Sequence, residues 1–220
     1  MKVSAAAFLL CLPLFASCAT HELNHNESYI VNNELFLAYK DIDKSLNIER
    51  TELLFSNGNA AKNCSTYFDL VSRYEVDESV NNMAVKSEYL ICDALEILSK
   101  KSVGTIRKTA DFRFGEELSS RLDLRTFPSS LFNASDDKKY NLQSMYSKNV
   151  TSKGSVTVAE TPDWIFRLEV VAVTQVNNNE TPDWIVWLTD ESKSGNYRAY
   201  KTLVIYDPTN QPNYSAVPYH

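Results

Sequence analysis

The chain has 220 residues, with 22 Lys and Arg against 28 Asp and Glu and a formal net charge of −6. That length suits one sizeable folded body or two small ones. The acidic balance and the lack of a basic run argue against nucleic acid, or an anionic lipid surface held by charge alone, as partners.

The first residues set the expected address. Lys2 is followed by an apolar run over 3–16, broken only by Ser4 and Pro13. The run is too short to span a bilayer, which needs about 20 apolar residues, and has the length and flanks of a cleaved signal. It closes on Leu14-Phe15-Ala16-Ser17-Cys18, small residues followed by a cysteine. This stretch resembles the lipobox of bacterial lipoproteins, although Phe15 stands where that pattern usually has Leu. The resemblance covers the leader alone and brings no functional family with it. It implies a signal peptide at 1–17, lipid on Cys18, a polar tether over 18–28 and, with Ala19 after the cysteine, sorting to the outer membrane. Loss of Lys2 takes the net charge from −6 to −7. Two alternatives stay open. Ordinary signal peptidase would cut near Ala16-Ser17 or Ala19. A eukaryotic secreted chain would use the Asn-X-Ser/Thr triplets at Asn26, Asn63, Asn133, Asn149, Asn179 and Asn213.

Leu35, Ala38, Tyr39 and Ile42 have helical spacing and predict a helix over 33–44. A second short helix is expected over 51–55, stopped by Asn57-Gly58. Two amphipathic stripes follow, over 61–74 and 78–100, with a polar corner between them. The first carries Cys64 and the second Cys92. In a helical hairpin the two cysteines lie about ten and about fourteen residues from the turn, close to one level at ~1.5 Å per residue. Cys11 leaves with the leader and Cys18 takes lipid. Cys64 and Cys92 are then an even pair in an oxidising compartment, and a structural disulfide is expected. Closing a loop of about 29 residues contributes about 3 kcal/mol in the chain-entropy account. Residues 29–104 therefore read as a helical region.

Residues 105–220 read as a mixed region with an antiparallel sheet, and 29–220 are compatible with a single domain. Leu118 and Leu122 fit a short helix after Gly115. From about residue 154 the period changes to two, with strands expected over 155–160, 164–175, 184–189 and 197–206. The alternation in 164–175 is imperfect, as in a strand covered on both faces or one carrying a bulge. The fold class expected is α+β: a disulfide-stapled helical hairpin region followed by an antiparallel β-meander.

Candidate sites are few. Glu-Thr-Pro-Asp-Trp-Ile occurs at 160–165 and at 180–185, as expected of two strand starts. Around the second copy, Gln175, Asn177, Asn179 and Asp183 fall at the ligand positions of a loop that resembles the strand–loop–strand calcium loops of integrin-type propellers. Only Asp183 keeps a carboxylate there, whereas calcium wants six to eight oxygens with several carboxylates. His21-Glu22-Leu23-Asn24-His25 matches a zinc-protease motif, but it lies in the tether with nothing to pack it against a core. The remaining histidine is His220, so the body has no imidazole for a Ser-His-Asp or Cys-His site unless a terminus reaches in. The glycines at 58, 104, 115, 154 and 195 are too scattered for a phosphate-cradling loop. Asp111, Glu116, Glu117, Asp123, Asp163 and Asp183 leave paired-carboxylate hydrolysis open. Asp123 and Arg125 precede a Pro-Ser-Ser corner and are candidates for holding a ligand or partner. Trp184, Trp187 and the aromatics of 197–200 are candidates for an exposed aromatic surface, with core packing as the plainer alternative.

The function expected is a non-catalytic outer-membrane lipoprotein, facing the periplasm, that binds an envelope protein or supports an envelope assembly with no resident cofactor. The alternatives are a calcium-, glycan- or small-ligand-binding module centred on 175–187 and a carboxylate-dependent hydrolase of envelope polymer.

Overall fold

The computed structural model describes residues 28–101, 106–109, 113–177, 179 and 181–220. The expected leader, Cys18, the tether up to residue 27, the His-Glu-X-X-His stretch, Asp111 and Glu180 lie outside the described residues.

A short strand, β1 (Ser28–Ile30), leads into α1 (Asn33–Lys40), where the Asn32 side chain accepts from the Leu35 amide. The single helix expected over 33–44 is two. Asp41 leaves helical geometry at φ −129, and α2 (Ile42–Asn47) begins after it. The helix expected over 51–55 is a strand, β2 (Leu53–Leu54), paired antiparallel with β3 (Ala60–Ala61). The correction has a local cause. Asn57-Gly58 is a hairpin signal here, with Gly58 in the left-handed region at φ 81.

The helical hairpin forms with a shorter first arm. This arm is α3 (Cys64–Val71), opened by an Asn63–Thr66 capping box. The second arm is α4 (Val80–Val85), a 3-10 turn (Lys86–Tyr89) and α5 (Leu90–Lys101). The Cys64–Cys92 disulfide joins α3 to α5. Both sulfurs are buried in a small core with Leu53, Phe55, Tyr67 and Tyr89. Next come β4 (Ile106–Lys108) and the expected short helix, α6 (Phe114–Arg121). A Cβ on Gly115 would stand 2.1 Å from the Val156 carbonyl oxygen, so only glycine lets this helix start against the sheet. After α7 (Leu142–Tyr146) the chain runs through β5 (Val150–Lys153), β6 (Val156–Glu160), β7 (Trp164–Thr174), β8 (Asp183–Ser192), β9 (Arg198–Ile205) and β10 (Ala216–Pro218).

Among the described residues eight strands make one sheet, with the path β10-β9-β8-β7-β1-β4 and β6-β5 also joined to β7. From β5 to β10 every sequential pairing is antiparallel, but β1 and β4 run parallel, so the sheet is mixed and not a pure meander. Strand lengths explain the difference. β7 has 11 residues and β6 has 5, so β6 pairs no further than Glu169. Ala172 and Val173 are left for β1. The helices from α1 to α5 then carry the chain across one face, the long connection that parallel pairing of β1 and β4 requires.

The imperfect alternation in β7 has both expected causes. The register shifts between Val170 and Ala172, and the Val171 carbonyl accepts from both Val31 and Asn32. Leu168, Val170 and Val173 pack on one face with Phe114, Leu118, Leu142, Trp184 and Leu203. Val171 and Ala172 pack on the other with Leu35, Leu95, Leu98, Ile185 and Val204. Each such large side chain contributes about 1.5–3 kcal/mol on burial. The fold is α+β, with α1 and α5 on one face of the sheet and α6 and α7 on the other. Among the described residues no helix is long and apolar enough to cross a membrane.

Candidate functional site

A cleft lies beside the first half of β9. β10 pairs with β9 over Leu203–Ile205, and the Thr202 carbonyl accepts from Tyr219. Below Thr202 no strand among the described residues pairs with that side of β9. One wall is α4, positioned by Asn82. The buried Asn82 side chain accepts from the Leu54 amide at 2.7 Å and donates to the carbonyls of Leu54 at 3.0 Å and Asp77 at 2.6 Å. The opposite wall is the Pro128-Ser129 corner, fastened by Asp190. This carboxylate is 0% exposed and accepts from the Ser130 amide at 2.7 Å, Ser130 Oγ at 2.6 Å, Trp164 Nε1 at 2.6 Å and Tyr197 Oη at 3.2 Å.

Between these walls is a cleft of about 410 Å³ lined by Glu78, Val80, Met83, Ser129, Tyr197, Arg198 and Lys201, among others. Its size falls within the range of small-ligand sites. Val80 is 45% exposed and Tyr197 42%. Burial pushes the Lys201 ammonium below its ordinary pKa, and neighbouring Lys86 pushes it further, against the pull of Asp190 and Glu78. Burial lowers Lys86 too, against the pull of Asp93 and Glu78. Among the described residues Lys86, Arg198 and Lys201 form no ion pair. Ser129 Oγ is buried with no hydrogen-bond partner. Ser129 and Lys201 therefore share a cleft without forming a nucleophile–base pair. Burial, then the Asp190 charge, raises Tyr197 to about 12, so its hydroxyl stays a donor at neutral pH. The cleft is equipped to hold an anionic group.

The residues singled out in the sequence go elsewhere. Asp123 and Arg125 hold each other, with Arg125 Nε to Asp123 Oδ1 at 2.9 Å and Nη2 to Oδ2 at 2.8 Å. Arg125 also reaches Asp137 at 2.7 Å and lies over the Tyr140 ring. The hydrogen bond from Arg125 keeps the Asp123 carboxyl below its ordinary pKa. Trp184 is buried edge-on to Phe114 and Tyr214. Trp187 is half-buried on the opposite face, its indole N–H buried without an acceptor.

In the 175–183 loop, Asp183 Oδ2 accepts from the Val176 amide at 2.6 Å and the Asn177 amide at 3.2 Å, and Oδ1 from the Asp207 amide at 3.0 Å. Asn177 Oδ1 accepts from the Asn179 amide and Asn179 Oδ1 from Thr181, while Asn179 Nδ2 donates to Asp207. Gln175 directly follows β7. The Asp183, Asn177 and Asn179 side-chain oxygens thus accept from backbone N–H groups. Among the described residues no group of three or more His, Cys, Asp or Glu side chains is placed to hold a metal.

An imidazole does reach the body. His220 Nε2 lies 3.2 Å from Glu96 Oε2 and 3.9 Å from Asp93 Oδ1, both on α5. Tyr67 donates to Asp93 at 2.9 Å and Tyr219 is 3.2 Å from Glu96. Burial raises the Asp93 pKa, with the His220 charge opposing it. Burial alone would raise Glu96 as well, but hydrogen bonds from His220 and Lys100 outweigh it and bring the group down to about 2. No serine or cysteine nucleophile is hydrogen-bonded to this imidazole among the described residues.

No family model matches the chain, and no curated protein or solved structure matches it either. The β9 cleft escaped the sequence because its lining comes from three distant segments, at 78–83, 128–129 and 196–201. The Pro-Ser-Ser corner and the 197–200 aromatics were its only local signals.

Proposed function

We propose that this protein is a lipid-anchored envelope protein, tethered through Cys18 to the outer membrane and facing the periplasm, that binds a partner through the β9 cleft without catalysis. The observation that carries this is a formed cleft whose cations, Arg198 and Lys201, have no ion-pair partner among the described residues. Charged groups of a finished surface normally find counter-charges or project into water, and burial at Lys201 forgoes some of that hydration. The carboxylates needed by a hydrolase or a calcium module support those alternatives less, because Asp123 and Asp183 already carry internal hydrogen bonds. The anchor rests on the leader sequence.

Expression in a Gram-negative host with labelled palmitate tests the anchor, and label is expected on the wild type and absent from Cys18→Ser. A photo-cross-linking residue at Tyr197 tests the binding surface, with one at exposed Lys40 as control. A specific adduct at Tyr197, absent at Lys40 and lost with Cys18→Ser, is the expected result. Unlabelled wild type removes the anchor, and equal adducts at both positions remove the cleft.

A further inference from the structure

We infer that the β9 cleft takes an acidic, extended peptide segment, which adds to the free edge of β9 and places carboxylates beside Arg198 on one face of the sheet and beside Lys201 on the other. This rests on the partner-binding reading above and names the partner's chemistry.

Backbone parity supplies the first argument. The Thr202 carbonyl faces the β10 side, since it accepts from Tyr219, and the Tyr197 carbonyl faces β8, since it accepts from Ser192. Residues two apart in a strand direct their backbone groups the same way, so Tyr200 and Arg198 present N–H and C=O along the same edge as Thr202. No backbone hydrogen bond to either on that side occurs among the described residues. An unpaired edge is a template for an added strand, and natural proteins usually block it. Here its Arg198 end borders the cleft.

Charge supplies the second. Arg198 and Lys201 line the cleft with Glu78 as the facing carboxylate, and Lys86 stands near enough to lower the Lys201 pKa. Asp190 also pulls on Lys201 and Glu191 stands opposite Arg198 in the sheet, but neither cation lies within ion-pair distance of a carboxylate among the described residues, so a carboxylate arriving there meets donors free of ion pairs. Ser129 Oγ, buried without a partner, is a further donor in the wall. Val80 and Met83 offer apolar contact to the alternate side chains of an extended segment.

The test uses the full chain in detergent micelles. The probe is a fluorescein-labelled short Val-Glu peptide of repeating Val-Glu-Glu, which puts Glu on both faces of an added strand, with the matching Val-Lys peptide, a backbone N-methylated Val-Glu peptide and an oligogalacturonate as comparators. Saturable binding of the Val-Glu peptide is expected, weakened about tenfold by Lys201→Met or Arg198→Gln. Hydrogen-exchange protection is expected at the Tyr200 amide. Unchanged far-ultraviolet dichroism and melting temperature in Lys201→Met keep the comparison free of folding effects. Absence of saturation at millimolar peptide, equal binding of the Val-Lys or N-methylated peptide, or binding of the oligogalacturonate alone overturns the inference. If these fail while the Tyr197 cross-linker still captures a partner, the peptide chemistry falls and partner binding stands. If both fail, so does the cleft as a binding surface.

Discussion

The same six residues, Glu-Thr-Pro-Asp-Trp-Ile, start two strands and meet opposite environments. At 160–165 they form the turn from β6 into β7. Pro162 and Asp163 are exposed there, and the Asp163 carbonyl accepts from Lys193. Trp164 is half-buried against Tyr197 at 5.2 Å. At 181–185 they open β8 at the other end of the same strand pair, since Trp164 lies opposite Ser192 and Trp184 opposite Val173. Asp183 is 0% exposed and Trp184 4%. The sextet encodes a strand start, and the chain that returns to it decides burial. Residues 176, 177 and 207 supply amides to Asp183, and Asp207 is held in the left-handed region at φ 48. Among the described residues no amide donates to the Asp163 carboxylate.

The sharpest way to break this comparison is to truncate both indoles. Trp184→Ala is expected to lose about 4 kcal/mol in urea denaturation and Trp164→Ala about half as much. Equal losses would mean that burial does not separate the copies. The aspartates come next. Asp183→Ala leaves buried amides unsatisfied and should lose about 3 kcal/mol, whereas Asp163→Ala should stay within about 0.5 kcal/mol.

A smaller effect follows from titration. Burial raises the Asp183 pKa in spite of its three backbone hydrogen bonds. The folded state therefore holds that proton more tightly than the unfolded state does. The stability this gives is fully present below the unfolded pKa of about 3.9 and is lost as pH rises through the folded value. Asp183→Asn should flatten that part of the stability profile, and profiles parallel to wild type would contradict the raised pKa. The smallest expected effect is nil: millimolar calcium should leave the melting temperature of wild type and Asp183→Asn unchanged. A calcium-dependent rise confined to wild type would show that the loop exchanges its amide bonds for metal.

Legibility followed the range of the interactions. Cys64 and Cys92 were readable because each sits in a helical stripe, and the disulfide joins those two stripes. The four long C-terminal strands were readable from their period. Residues 51–55 misled because a helix and a short strand look alike over so few apolar residues, and the Asn57-Gly58 turn settles the pair only once Ala60–Ala61 is opposite Leu53–Leu54. β1 and β4, of three residues each, carry no measurable period, and their place depends on where β6 stops along β7. The candidate site was legible only in fragments: Tyr197 and the Ser129 corner stood out, whereas Val80, Met83 and Lys201 look like ordinary surface or helix positions.

The sequence by itself determined what acts over a few residues: the leader pattern ending at Cys18, the capped helical stripes, the period-two strands and the tight turns at glycine. Tertiary structure alone decided the parallel β1–β4 pairing, the burial of one sextet but not the other, the approach of His220 to Glu96 and the open edge of β9. The physical reason is that backbone propensity and side-chain period are local, whereas burial and hydrogen-bond satisfaction are settled by whichever distant segment arrives to supply the missing surface or donor.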